Sequence, residues 1–183
     1  MTISAIVTTR RIGLVAASHL EPKLVIMANN EFDSNADTCC LWKNFFILEY
    51  TQRTADVYSY NQSITPIEGV PIVNSATAWD ESVSNQKYIL IVKEALYYGT
   101  KLDHSLLNPN QIRHYGLNSW DNPYNKEQFL NIKLNDSVDV TMQTKGTKIY
   151  FETRSPSEVE LRDCPKLQLT SRNEWNPAIV SLV

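Results

Sequence analysis

Phe32-Asp33-Ser34-Asn35-Ala36-Asp37-Thr38 is the stretch on which the reading turns. An apolar strand ending at Phe32 surfaces here into a tight turn that carries a carboxylate and a hydroxyl. Asp, Ser and Asn each bond to nearby backbone, so taken alone the stretch reads as an ordinary turn. A second stretch changes its weight. The apolar pair Leu106-Leu107 runs into Asn108, a good helix N-cap, with Pro109 at the first helical position, Gln111 where a capping box needs it and Gly116 placed to close the C-terminus. This predicts one short helix of about two turns behind an apolar strand.

Outward from these two stretches the pattern is that of short strands rich in β-branched and aromatic residues. They are expected at Leu24 to Met27, Phe45 to Tyr50, Val70 to Val73, Tyr88 to Val92, Leu96 to Tyr98, Ile132 to Leu134, Val138 to Met142 and Ile149 to Thr153. Turn clusters at Asp80 to Asn85, Asn122 to Tyr124 and Lys145 to Thr147 separate them. The expectation is an all-β domain with a single short helix. Residues 1–22 read as a loose N-terminal arm, residues 23–118 as the core, and residues 119–183 as a C-terminal β extension that serves either as further sheet or as dimer interface.

Composition narrows the function classes. At 183 residues the chain holds about one domain at roughly 150 residues each. Its five glycines are too dispersed for GxGxxG or GxxxxGK, which excludes those nucleotide cradles. Lys and Arg number 17 against 20 Asp and Glu, with no basic stripe, so no nucleic-acid partner is expected. Apolar runs fall far short of the about 20 residues that span a bilayer, and no membrane partner is expected. Three cysteines, Cys39, Cys40 and Cys164, fit thiols in a reducing compartment, and their spacing suits no zinc site. No metal or cofactor is implied.

The first stretch resembles the signature of the retropepsins, the aspartic proteases of retroviruses and retrotransposons: apolar, Asp, Thr or Ser, Gly, Ala, Asp or Ser. Only Asn35 departs from it, and Asn108 likewise stands where the family carries glycine after its later apolar pair. Asparagine tolerates left-handed backbone best among non-glycine residues, so Asn35 is compatible with a φ > 0 turn, and its side chain either narrows the cleft or bonds locally and holds the turn. The run Glu94 to Gly116 resembles the end of a copia-type LTR retrotransposon protease within a gag-pol polyprotein. It carries Ala95-Leu96-Tyr97-Tyr98, His104-Ser105-Leu106-Leu107-Asn108 and Gln111-Ile112. A weaker likeness extends to Gly146 through Glu152 and to Trp175-Asn176-Pro177. The firm part is Phe32 to Gly116.

The resemblance implies a retropepsin-like acid-protease barrel with one short α-helix and extra C-terminal strands. It implies an aspartic endopeptidase, hydrolysing polyprotein peptide bonds in the cytoplasm or within virus-like particles. That chemistry needs two carboxylates sharing one proton, one activating water and the other donating to the scissile carbonyl. One chain supplies a single such motif, so a homodimer with Asp33 of each chain at the two-fold axis is implied. Asp33 is then the catalytic acid/base and Ser34 bonds across the dimer. Asn35 occupies the turn, Ala36 keeps the cleft floor small, and Asp37 meets substrate backbone. The flap is expected as a hairpin between Val57 and Val73 with its tip near Tyr60 to Ile64, and Tyr60, Asn61 and Gln62 are expected against the polypeptide substrate.

Other readings stay open on the residues themselves. Asp37 serves equally as a structural acceptor, and Asp103-His104-Ser105 looks like a triad only on paper, since adjacent side chains diverge. A Cys/His pair is a further nucleophile option without specific support. For the whole chain the alternatives are a retropepsin fold that dimerises or binds peptide without cleaving it, and a general β interaction domain.

Overall fold

The computed structural model describes residues 25–59 and 63–181. The expected arm over residues 1–22 and, of the flap tip expected near Tyr60 to Ile64, the residues Tyr60, Asn61 and Gln62 lie outside the described residues. Val25, Ile26 and Met27 are exposed and unpaired, so the first strand begins later than the sequence suggests: β1 spans Ala28–Phe32. Its inward positions are Ala28, Asn30 and Phe32, and the polar Asn30 disguises a strand that is half core.

The chain then runs through β2 (Cys40–Trp42), β3 (Phe46–Val57), β4 (Ile67–Asp80), β5 (Lys87–Gly99), β6 (Ser105–Leu107) and α1 (Pro109–His114). After it come β7 (Asn118–Trp120), β8 (Asn131–Lys133), β9 (Asp139–Thr141), β10 (Gln143–Lys145), β11 (Lys148–Thr153), α2 (Glu158–Asp163) and β12 (Lys166–Gln168). The all-β character expected from the short apolar runs holds, with two short helices among the described residues where one was expected. The overlooked α2 carries a full capping box, Ser157 with Glu160. In α1 the Asn108 side chain accepts from the amides of Asn110 and Gln111, as its position implies. Gln111 does not close a capping box and turns inward instead.

The main sheet runs β10-β11-β1-β6-β2-β5-β4-β3, with β12 against β5, and β7-β8-β9 form a separate small sheet. The path ends at β10 on one side and β3 on the other, so the described residues close no barrel. Four features of this sheet position the site. β1 pairs parallel with β6, Phe32 opposite Leu107, and antiparallel with β11. β5 takes β4 along one edge and shares the other between β12 at Ile89–Ile91 and β2 at Leu96–Gly99. The expected strands Tyr88 to Val92 and Leu96 to Tyr98 are thus one strand with a bulge at Lys93-Glu94. β3 and β4 form one long hairpin whose strands run well beyond the Val57 to Val73 span expected for a flap, with irregular register along it.

Core packing ties the C-terminal extension to the rest. Phe151, Leu169, Ile132 and Val140 are buried in one cluster with Phe32, Leu41, Leu90 and Leu107. Leu161 and Cys164, at the end of α2, cover a second cluster of Ala76, Ala78, Ile89 and Ile91. Beneath β1 sits a buried polar knot. The Thr153 hydroxyl accepts from the side-chain amides of Asn30 and Asn44, both at 2.9 Å, with Thr77 Oγ1 at 2.8 Å. Among the described residues no helix is long and apolar enough to cross a membrane.

Candidate functional site

The Asp33 turn starts where two parallel strands end. The Asp33 amide donates to the Leu107 carbonyl at 3.0 Å, which continues the β1/β6 ladder by one rung before the chain turns outward. Asp33 Oδ1 then accepts from the Asn35 amide at 2.8 Å, an Asx turn. Asn35 keeps a negative φ, since the described non-glycine residues with positive φ are Gln52, Asn85 and Glu94. The left-handed backbone that Asn35 tolerates is not used: the bond from its amide to the Asp33 carboxylate shapes the turn without it.

The far end of the turn is held by α1. The Cys39 amide donates to Gln111 Oε1 at 3.0 Å, and the Asn108 amide contacts Cys39 Sγ at 3.3 Å. The same Gln111 amide group donates to the Glu94 carbonyl at 2.9 Å. One buried side chain thus ties turn, helix and the β5 bulge together, which explains why a polar residue occupies a helix face that is otherwise core.

Asp33, Asn35, Ala36 and Asp37 open on a cleft of about 730 Å³. Val57, Tyr58 and Ile67, at the free end of the β3–β4 hairpin, line it on one side. Leu96, Tyr98, Leu102 and Leu106 supply apolar wall. The structure thus brings Asp33, Asn35, Ala36 and Asp37 together with the hairpin arms. Ser34 is exposed and does not line the cleft. Tyr60, Asn61 and Gln62 are outside the described residues.

The sequence assigned no role in the site to two further cleft residues. Glu94 is 4% exposed and sits at φ 56° in the β5 bulge, its amide donating to Asn74 Oδ1 at 3.3 Å. Its carboxylate accepts from Arg53 Nη2 at 2.6 and 2.7 Å. The hydrogen bond to Glu94 holds the Arg53 guanidinium even more firmly protonated than usual. The polar pair Lys93-Glu94 interrupting an apolar run is the trace that a bulge leaves. Trp175, in the segment after β12, is the other. Its indole N–H donates to the Asp37 carbonyl at 2.9 Å, and its backbone N–H to Glu94 Oε2 at 3.2 Å.

The remaining nucleophile options lose ground. Burial pushes the Cys39 thiol up to about 12. Cys40, which faces the cleft, is also pushed up to about 12, by burial first and then by the Asp37 and Asp33 carboxylates. Both stay protonated near neutral pH and make poor nucleophiles. The Tyr98 phenol in the same wall rises to about 12 through burial, with Cys40 and Asp37 adding to it. Ser105 is buried and its Oγ accepts from the Trp42 amide at 2.9 Å, while His104 faces Asp103 and Glu31. The paper triad is no triad. Among the described residues no three of His, Cys, Asp and Glu gather as metal ligands.

Comparison with family models, with curated proteins and with solved structures returned no match for this chain.

Proposed function

We propose that this chain is a retropepsin-like aspartic endopeptidase that acts as a homodimer, with Asp33 of each chain sharing one proton and activating water. The observation that carries the reading is the place of Asp33. It follows a β1 strand paired parallel to β6, it is backed by α1, and it opens on a cleft bordered by a long hairpin. The order of strand, carboxylate turn, hairpin, apolar strand and helix is what the resemblance implies for that family. In the dimer the two carboxylates lie too close to ionise together, which makes one the base and the other the acid. The hairpin closes over an extended peptide, adds strand-like hydrogen bonds and excludes water. No cofactor takes part.

Asp33→Asn is expected to abolish peptide hydrolysis while sedimentation still gives twice the chain mass; turnover that survives the change, or a monomer that cleaves, sinks the reading. A second reading is a peptide-binding fold that no longer hydrolyses. Asn35 favours it, because an exposed side chain projects from the turn at the family's glycine position. Cleavage gained by Asn35→Gly over an inert parent would decide for that reading.

A further inference from the structure

The segment after β12 leaves the sheet at a fixed point. The Leu169 amide donates to the Ile91 carbonyl at 2.8 Å, and the Thr170 hydroxyl bonds to the Lys93 carbonyl at 2.7 Å. Beyond Thr170 most residues are exposed, among them Arg172, Asn173, Glu174, Pro177 and Ile179. Ser171, Trp175, Asn176 and Val180 are only partly exposed, and of these Trp175 makes the most far-reaching contacts. It is half-buried, and its contacts come from three separate parts of the fold: the Asp37 carbonyl at the end of the candidate catalytic turn, the Glu94 carboxylate in the β5 bulge, and the ring of His114 at 5.4 Å, edge-on. Trp175 and Pro177 both line the cleft.

A largely exposed segment held by one half-buried aromatic that bonds to separate parts of the fold is how a peptide ligand docks, with one anchor in the cleft and the rest loosely placed. The two acceptors Trp175 uses suit that role. A backbone carbonyl takes an indole N–H, and a preplaced carboxylate takes a peptide N–H. Glu94 is held ready for it, since Arg53 fixes the carboxylate from the other side and left-handed backbone aims it. The ion pair of Glu174 with Arg53, 3.6 Å apart and exposed on both sides, adds little.

We infer that this end of the cleft is a subsite for a tryptophan-bearing peptide, filled in cis by the chain's own Glu174–Pro177. The inference rests on the reading of the cleft as a peptide groove and names the residue that the groove selects. The committed ligand is a polypeptide segment with tryptophan at the position Trp175 takes and proline two residues on. A tethered segment competes at an effective concentration in the millimolar range, so a free peptide meets an occupied subsite in the parent chain.

The test uses the full chain carrying Asp33→Asn, which prevents cleavage of the probe, with and without Trp175→Ala. The probe is a fluorescently labelled peptide of the sequence from Arg172 to Ser181, followed by anisotropy. It is expected to bind the chain with Trp175→Ala at least tenfold more tightly than the chain that keeps Trp175, and to lose that binding when alanine replaces the probe's tryptophan. Equal binding to both chains, binding to neither, or binding indifferent to the probe's tryptophan overturns the inference. Should Trp175→Ala fail to fold, Trp175→Phe decides. It keeps an aromatic ring, though a smaller one, and loses the indole donor, so a smaller rise in probe affinity supports the subsite and no change overturns it. Because the readout is binding, loss of hydrolysis in every assay leaves this inference standing. Hydrolysis of other peptides without tryptophan-dependent binding sinks it alone.

Discussion

At Glu94 the backbone stands at φ 56°, a conformation that costs a non-glycine side chain on the order of 1 kcal/mol. The carboxylate offsets that cost by receiving Arg53 and the Trp175 amide in a buried position. Two substitutions separate the terms. Glu94→Ala keeps the strain and leaves Arg53 only its exposed ion pair with Glu174, so unfolding free energy is expected to fall by about 2–3 kcal/mol. Glu94→Gly loses the same bonds but relieves the backbone, and is expected to be less destabilised by about 1 kcal/mol. Urea midpoints at unchanged slope read the difference. A glycine variant that is the weaker of the two would mean that the left-handed backbone there is not strained.

Among the elements, α2 shows how a short helix is held by charge. Arg154 is 8% exposed and its guanidinium donates to both Asp80 oxygens and to both Glu160 oxygens. Glu160 also accepts from the Ser157 amide, closing the cap. The Arg154 guanidinium is the first cause that holds the Glu160 carboxyl well below the usual carboxylate range. In the unfolded chain Glu160 titrates near the ordinary value of about 4.3. Its contribution is therefore present above that pH and is lost as pH falls through it toward the depressed folded value, because the unfolded state binds the proton first. Thermal midpoints are expected to drop between about pH 5 and about pH 3 more steeply in the parent chain than in Glu160→Gln. That variant starts lower at neutral pH, by about 2 kcal/mol. Parallel pH profiles would show that Glu160 does not couple folding to protonation.

For the whole molecule the decisive contact is between the two ends of the described chain. β11 pairs with β1 residue for residue from Ala28 with Thr153 to Glu31 with Tyr150, and β12 lies against the middle of the sheet at β5. Thr153 holds the buried amides of Asn30 and Asn44 from across that seam. Residues beyond 118 are thus part of the sheet on which the candidate site stands, and the small β7-β8-β9 sheet adds Ile132 and Val140 to the same core. A chain ending at residue 118 would expose Phe32 and Leu107 and strand two buried amides. It is expected to show no cooperative unfolding transition and collapsed amide dispersion by NMR. A cooperative transition in that shortened chain would make the extension a mere appendage.

The sequence by itself determined the local features whose causes lie within a few residues. Asn108 caps α1 because its side chain reaches two amides nearby, and the Asp33 turn forms because an aspartate bonds the amide two positions on. The apolar runs around Ile91, Val73 and Phe151 announced β strands for the same reason, an enrichment in β-branched and aromatic residues that each segment carries alone. What only the tertiary structure decided depends on partners far along the chain. Asn30 is a strand residue because Thr153 and the Phe151 carbonyl receive its amide, and a polar side chain gives no notice of a partner 121 or more residues away. Glu94 and Trp175 meet only when β5 bulges and the segment after β12 returns to the cleft, a separation of 81 residues that no local pattern encodes. The open path of the main sheet was equally hidden, since strand order is set by which edges find each other and not by the strands themselves.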